Sequence, residues 1–293
     1  MDSKRGTLFV LLAGVLWGCI SLFVRALTAA GFTSPEISSE LMVVGCVGMF
    51  LVLLVKDRKK LKIRLGDLWI FVGTGVVSVT LFNICYFSTM QRSEASVAVV
   101  LLYTSPVFVM LMSALLFKER ITARKLLALG MTLAGCVLVA GLLGGSVHLT
   151  PLVLLMGVGS GFFYATYSIF GQIALSRYDT LTVTFYTFLL GSAASLPLSH
   201  PAQLLARLAE RPGLIALCLG IGIFCTILPY LFYTQGLRNM EASRAAILAT
   251  VEPLVGALLG ILVYHESAGW MKLLGMALIF ASVFVLNGRR REG

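Results

Sequence analysis

Glu252 is the residue of this 293-residue chain with the sharpest chemistry to offer. It stands in LATVEPLV, inside a long apolar run. An ionised side chain costs about 2.5 to 3.5 kcal/mol there, so it usually faces a cavity or a partner. Such a carboxylate can carry a proton or bind a substrate amine. The structural alternative is that it accepts hydrogen bonds from a neighbouring helix. A second candidate acid is Glu40 in EISSELMVV, near the outer part of another run, where it could draw cations to an outer mouth. Around these acids the chain supplies Trp17, Tyr86, Tyr103, Tyr164, Tyr167, Tyr230 and Tyr233, together with the amide of Asn83. Aromatic rings can stack on a planar substrate or surround a quaternary ammonium, each contact contributing roughly 0.5–2 kcal/mol. The same rings could instead pack against lipid or form an interfacial belt.

Other chemistries lack their residues. No GxxxxGK[ST] loop is present to cradle ATP, and no serine sits in a GxSxG elbow. His148 and His200 lie in loops with no cluster around them, and His265 stands at the end of a run. The six cysteines all fall inside apolar runs without metal or redox spacing, which fits buried small hydrophobes. The sequence therefore predicts no enzymatic activity, metal or cofactor. The net charge of +10 sits in short clusters between apolar runs, without interleaved aromatics, so nucleic acid is not an expected partner.

The elements that must position these residues are set by composition. Charged residues make up 12% of the chain and hydrophobic residues 58%. Soluble domains carry about 25% charged residues, so lipid is the solvent that permits this chain. Ten apolar runs are legible, at 6–28, 37–55, 67–89, 94–116, 123–141, 150–172, 180–197, 213–235, 241–263 and 270–287. Most approach the roughly 20 residues that cross the hydrocarbon as a helix. Open strand edges are excluded from lipid, and no alternating barrel pattern is seen. The first run reads as a retained span rather than a cleaved signal peptide. The longest connection, 198–212, has the pattern of a short interfacial helix. With the N-terminus in the cytoplasm, 18 of the 23 Lys and Arg fall on the inside, six of them in KDRKKLKIR at 56–64. The positive-inside rule thus predicts both termini cytoplasmic.

The chain also repeats itself at a constant offset of 147, so that Tyr86 meets Tyr233, Pro106 meets Pro253, Glu119 meets Glu266 and Trp17 meets Tyr164. The tripeptide Glu94-Ala95-Ser96 recurs as Glu241-Ala242-Ser243. Two units follow, 1–145 and 146–293, each of five spans. Because five is odd, the second unit enters the membrane inverted, and substrate sites in such proteins lie near the midplane between the repeats. The expected fold is all-α, a polytopic membrane protein of ten helices in two inverted five-helix repeats. Pro106 and Pro253 sit within long spans, where proline removes an intrahelical hydrogen bond and favours a kink. Gly256 and Gly260 have the small-xxx-small spacing of close helix packing, at a dimer contact or an internal seam. Glu119 and Glu266 close spans four and nine and read as helix-end structural groups. The mate of Glu252 is Ser105, so the repeat does not demand a charge there.

The segments LLAGVLWG, SEASVAVVLLYTSPVFVMLMSALLFKERIT and EASRAAILATVEPLVGALLGILVYHES resemble the EamA-type branch of the drug/metabolite transporter superfamily. The resemblance implies secondary transport of small organic molecules, often outward, through a cavity lined by spans 1, 3, 4, 6, 8 and 9. It is specific for the family and weak for the substrate. Amino acids and related metabolites rank first as expected substrates. Quaternary or amphiphilic cations rank second, on the strength of the aromatics and the two acids. A non-transporting scaffold or lipid-binding protein is the alternative of another class. The expected setting is the bacterial inner membrane, with protons and lipids as further partners, as a monomer or homodimer.

Overall fold

A computed structural model of the chain describes residues 3–142 and 149–287. His148 and the arginines at 289–291 lie outside the described residues. Among the described residues nine helices are long and apolar enough to cross a membrane. They are α1 (Lys4–Ala29), α2 (Ser34–Lys56), α3 (Leu65–Arg92), α4 (Ala95–Phe117), α6 (Pro151–Leu175), α7 (Thr180–Leu198), α8 (Gly213–Leu237), α9 (Ala242–Tyr264) and α10 (Trp270–Asn287). Between α4 and α6 lies α5 (Ala123–Val139), a helix of 17 residues that carries Arg124 and Lys125 in its first turn. At about 1.5 Å per residue it is marginally shorter than the others. The 198–212 connection does contain a helix, Pro201–Glu210, which turns Leu204 into the protein.

Side-chain contacts sort the helix ends onto two faces. On one, Thr7 and Arg244 both reach Asn287, Lys125 pairs with Glu241 at 2.7 Å, and Lys60 pairs with Asp179 at 3.2 Å. Arg177 and Tyr178 hold Asp67 at the start of α3 on that face. On the other, Arg207 of the short helix pairs with Glu36 at 3.1 Å, and Arg25 pairs with Glu266 at 2.5 Å. The first is called here the basic face, because it carries the 56–64 turn.

Several helices are interrupted at matched places. α4 breaks at Tyr103 and Thr104 and resumes at Ser105; α9 breaks at Thr250 and resumes at Val251. The breaks fall two to three residues before Pro106 and Pro253. Each proline lacks the N–H that would return to the carbonyl four residues earlier, Leu102 or Ala249. The threonine beside each break bonds back to the chain instead, Thr104 to the Leu101 carbonyl at 2.6 Å and Thr250 to the Ile247 carbonyl at 2.5 Å. α3 and α8 widen into π-helical turns at Gly73–Leu81 and Ile223–Ile227.

Glycines let backbones meet at these breaks. A Cβ on Gly14 of α1 would lie 2.9 Å from the Ala249 carbonyl oxygen of α9. One on Gly161 of α6 would lie 2.9 Å from the Leu101 carbonyl oxygen of α4. Gly14 and Gly161 are mates at the offset of 147, so α1 meets the break of α9 as α6 meets the break of α4. Gly256 faces the Gly18 carbonyl of α1 at 3.8 Å, and Gly260 sits under the Glu266 carboxylate. Of the two, Gly256 alone thus faces another helix.

Candidate functional site

A cavity of about 360 Å³ lies among α1, α2, α3, α4, α6, α8 and α9. That is within the usual size of sites for small organic molecules, about 300–1,000 Å³. It runs from Val24, Ser34 and Met90, at the ends of α1, α2 and α3 away from the basic face, inward to Val109, Ser168 and Ala246. It is thus open at one face and ends short of the other.

All nine residues singled out as substrate contacts line it: Trp17, Asn83, Tyr86, Tyr103, Tyr164, Tyr167, Tyr230, Tyr233 and Glu252. Seven helices contribute, α1, α2, α3, α4, α6, α8 and α9. The family pattern names six of these; α2 is the addition, through Ser34, Ile37, Ser38, Leu41 and Met42. Ser38 accepts a 2.5 Å hydrogen bond from the Asn83 amide, which joins α2 to α3 on the cavity wall. The sequence points to α2 only through Glu40, because serines near a span end carry no periodic signal of a cavity wall.

The rings form two groups, with Tyr103 outside both. The Trp17 ring centroid lies 5.5 Å from that of Tyr230 and 5.4 Å from that of Tyr233; Tyr167 lies 5.2 Å and 6.0 Å from the same two. Phe82, at 5.5 Å from Tyr86 and 5.4 Å from Tyr164, joins the remaining pair. Two tyrosines are fixed by their hydroxyls. Tyr167 shares a hydrogen bond with Thr234 at 2.6 Å and Tyr233 one with Ser168 at 2.7 Å. Their rings, rather than their hydroxyls, are left to meet a ligand.

Glu252 sits in the first turn after the α9 break, and Tyr103, at the α4 break, lies within electrostatic reach of it. Glu252 is the only acid among the lining residues, and no Lys or Arg lines the cavity. An ammonium group would find a counter-charge and aromatic faces there. An anion would find no cation.

Glu40 is placed elsewhere. It is buried on α2, with Cys218 of α8 in electrostatic reach, and does not line the cavity. Pro106 and Pro253 stand beside lining residues, Ser105 and Glu252, but do not line it themselves. Among the described residues no cluster of His, Cys, Asp or Glu could hold a metal.

The chain matches the model of the EamA-like transporter family twice, over residues 4–141 and 151–288. It is 29% identical to an uncharacterized transporter of Archaeoglobus fulgidus over 287 residues, covering 96% of each chain. It is 27% identical to the uncharacterized inner membrane transporter YicL of Salmonella typhimurium, over 99% of this chain and 98% of that protein. A crystal structure of a protein 19% identical superposes with a TM-score of 0.79 over the whole of both chains, a likeness of fold. Two family matches that together take in nearly the whole chain, and relatives matched from end to end, place it: this protein belongs to the EamA-like transporter family and is a membrane transporter of small molecules.

Proposed function

We propose that this protein is a secondary transporter of small organic cations, working by alternating access between two inverted five-helix halves, 1–145 and 146–293. The observation that carries the substrate class is the lining: one carboxylate, Glu252, among nine aromatic residues, without a basic residue among the described residues. A cation with an apolar body replaces its hydration shell by ring faces and one counter-charge. Quaternary amines and amphiphilic amines fit this description. On this reading α5 is the tenth span. The two family matches, separated by 151 − 4 = 147 residues at their starts, support the division into halves. Both termini then lie in the cytoplasm on the basic face, as the distribution of Lys and Arg favours.

One observation favours zwitterionic amino acids as a second class. The resumed helix of α4 starts at Ser105, on the cavity wall, and a helix start can hold a carboxylate. The ammonium would then sit at Glu252. Either class moves through the same site.

The test is a thermal-shift screen of detergent-purified protein against choline, tetraethylammonium, polyamines, nucleosides and neutral amino acids, repeated on Glu252→Gln. Stabilisation by quaternary amines that Glu252→Gln weakens at least tenfold in apparent affinity is the expected result. Stabilisation by amino acids alone moves the assignment to the zwitterions. Stabilisation by an organic cation with unaltered affinity in Glu252→Gln removes Glu252 from the site.

A further inference from the structure

The two glutamates that close α4 and α9, Glu119 and Glu266, are repeat mates in identical backbone settings. Each follows a residue in the left-handed conformation, Lys118 at φ 56° and His265 at φ 53°. Each donates its own N–H back six residues, Glu119 to Ser113 and Glu266 to Gly260. Each has a lysine beside it, Lys125 at 3.5 Å and Lys272 at 3.0 Å, and these lysines are mates as well. Their outward contacts differ completely.

Glu119 crosses to the other half. Its carboxylate accepts the Ala242 N–H at 2.7 Å, the Ser243 N–H at 3.3 Å and the Ser243 hydroxyl, and so caps the start of α9. Lys125 completes the joint by pairing with Glu241 at 2.7 Å. The Glu119 side chain is 6% exposed, and Ala242 and Ser243 are fully buried. This joint lies on the basic face, where the cavity is closed.

Glu266 does not reach the start of α4. The matching partners are the N–H groups of Ala95 and Ser96 at the start of α4, with Glu94 for Lys272. Ala95 and Glu94 are exposed. Glu266 is held instead by Arg25, whose guanidinium also covers the Tyr264 ring at 3.9 Å. The mate of Arg25 is Gln172, so the basic face has no equivalent restraint. This is the face at which the cavity opens.

We infer that Glu119 and Glu266 are a pair of exchanging latches: Glu119 on the start of α9 seals the basic face in the state described here, and Glu266 on Ala95 and Ser96 of α4 seals the opposite face in the alternate state. The inference rests on the alternating-access reading above. Arg25 is the restraint that keeps the second latch open, and Lys272 would then bridge Glu266 to Glu94 as Lys125 bridges Glu119 to Glu241.

The two glutamates must act in opposite directions, which two ordinary helix caps would not. The experiment is hydrogen exchange with mass spectrometry on the full chain in detergent or nanodiscs, following the peptides that carry the Ala95–Ser96 and Ala242–Ser243 amides. Glu119→Gln is expected to speed exchange at Ala242–Ser243 at least tenfold and to slow Ala95–Ser96 several-fold. Arg25→Gln, which leaves the basic face untouched, is expected to slow Ala95–Ser96 and speed Ala242–Ser243 in the same sense. Glu266→Gln is expected to leave Ala95–Ser96 fast and Ala242–Ser243 protected. Faster exchange at Ala242–Ser243 in Glu119→Gln without any slowing at Ala95–Ser96, in company with an unresponsive Arg25→Gln, would overturn the exchange and leave Glu119 a local cap. Wild type with tetraethylammonium separates this from failure of the transport reading. Slowing at Ala95–Ser96 by the compound, with no response to the substitutions, overturns the latches and keeps the cation transporter. Response to the substitutions alone keeps the latches and counts against the cation.

Discussion

At the residue scale the site is a division of labour between one charge and several ring faces. Trp17 packs on two other lining rings, its centroid 5.5 Å from that of Tyr230 and 5.4 Å from that of Tyr233. Removing one cation–π face costs about 0.5–2 kcal/mol, which is roughly 2- to 30-fold in affinity. Trp17→Ala should weaken binding of a quaternary amine by that factor in a titration of the purified protein. Trp69→Ala, on an indole that is half exposed and packs on Phe170 away from the cavity, should leave it unchanged. Equal losses in both would show that Trp17 acts through stability alone. Two pairs of aromatic positions, Trp17/Tyr164 and Tyr86/Tyr233, stand out because the repeat pairs ring with ring there; the others stand out only as polar-tipped rings in apolar runs. Glu40 was less legible. A carboxylate near a span end reads equally well as facing a mouth or a neighbouring helix, and only packing against α8 decides between them.

Glu266 gives this scale its pH dependence. The hydrogen bond from Arg25, and then that from Lys272, hold its carboxyl below the usual glutamate range. A group lowered in the folded state stabilises the fold above its unfolded value, about 4.3, and loses that contribution as pH falls through the lowered folded value. The link is partly exposed, so its worth is small, about 0.2–1 kcal/mol. The difference in melting temperature between wild type and Glu266→Gln should therefore be constant from pH 8 to pH 5 and shrink only below about pH 4. A difference that already fades between pH 7 and 5 would mean that the ion pair does not form in solution.

At the scale of elements, apolarity and length gave the helices, and breaks were foreshadowed by the two prolines. The break itself precedes each proline, because the missing N–H frees a carbonyl one turn earlier. What no local pattern could say is which helix meets the freed backbone. LLAGVLWG shows that α1 can be approached closely; that the partner is the α9 break of the other half depends on how the halves are folded together. Gly14→Ala places a methyl 2.5 Å from Val251 and 2.9 Å from the Ala249 carbonyl oxygen. Gly161→Ala meets Thr104 and the Leu101 carbonyl in the mirrored seam. Overpacking of this kind typically costs about 1–3 kcal/mol. Each alanine should lower the melting temperature by several degrees, and Gly213→Ala, with nothing within 4 Å of its Cβ, should not. A neutral Gly14→Ala would place the seam wrongly.

For the whole molecule, the repeat predicts two states related by exchange of the halves, but a repeat cannot say which one the chain adopts. That choice lies in the departures from symmetry: Arg25 against Gln172, Glu252 against Ser105, Glu40 against Thr187. They are single residues among many positions at which the two repeats differ, so the open face was legible only once the contacts of Glu119 and Glu266 could be compared. The same asymmetry bears on energetics. A cavity with one carboxylate can carry a monovalent cation as a neutral pair, or release it in exchange for a proton. These alternatives differ in the charge that crosses the membrane. Moving one elementary charge through 100 mV is worth about 2.3 kcal/mol, or roughly 50-fold in concentration. If the empty carrier returns with Glu252 protonated, a proton is exchanged for the cation and no net charge moves. Proteoliposomes given a potassium diffusion potential of 100 mV, negative inside, without a pH gradient, should then accumulate no labelled tetraethylammonium beyond the outside concentration. An imposed pH gradient, acid inside, should drive accumulation of about tenfold per pH unit. Glu252→Gln should abolish that response. Accumulation approaching 50-fold on the potential alone would instead assign the protein to charge-moving uptake, with Glu252 ionised throughout the cycle.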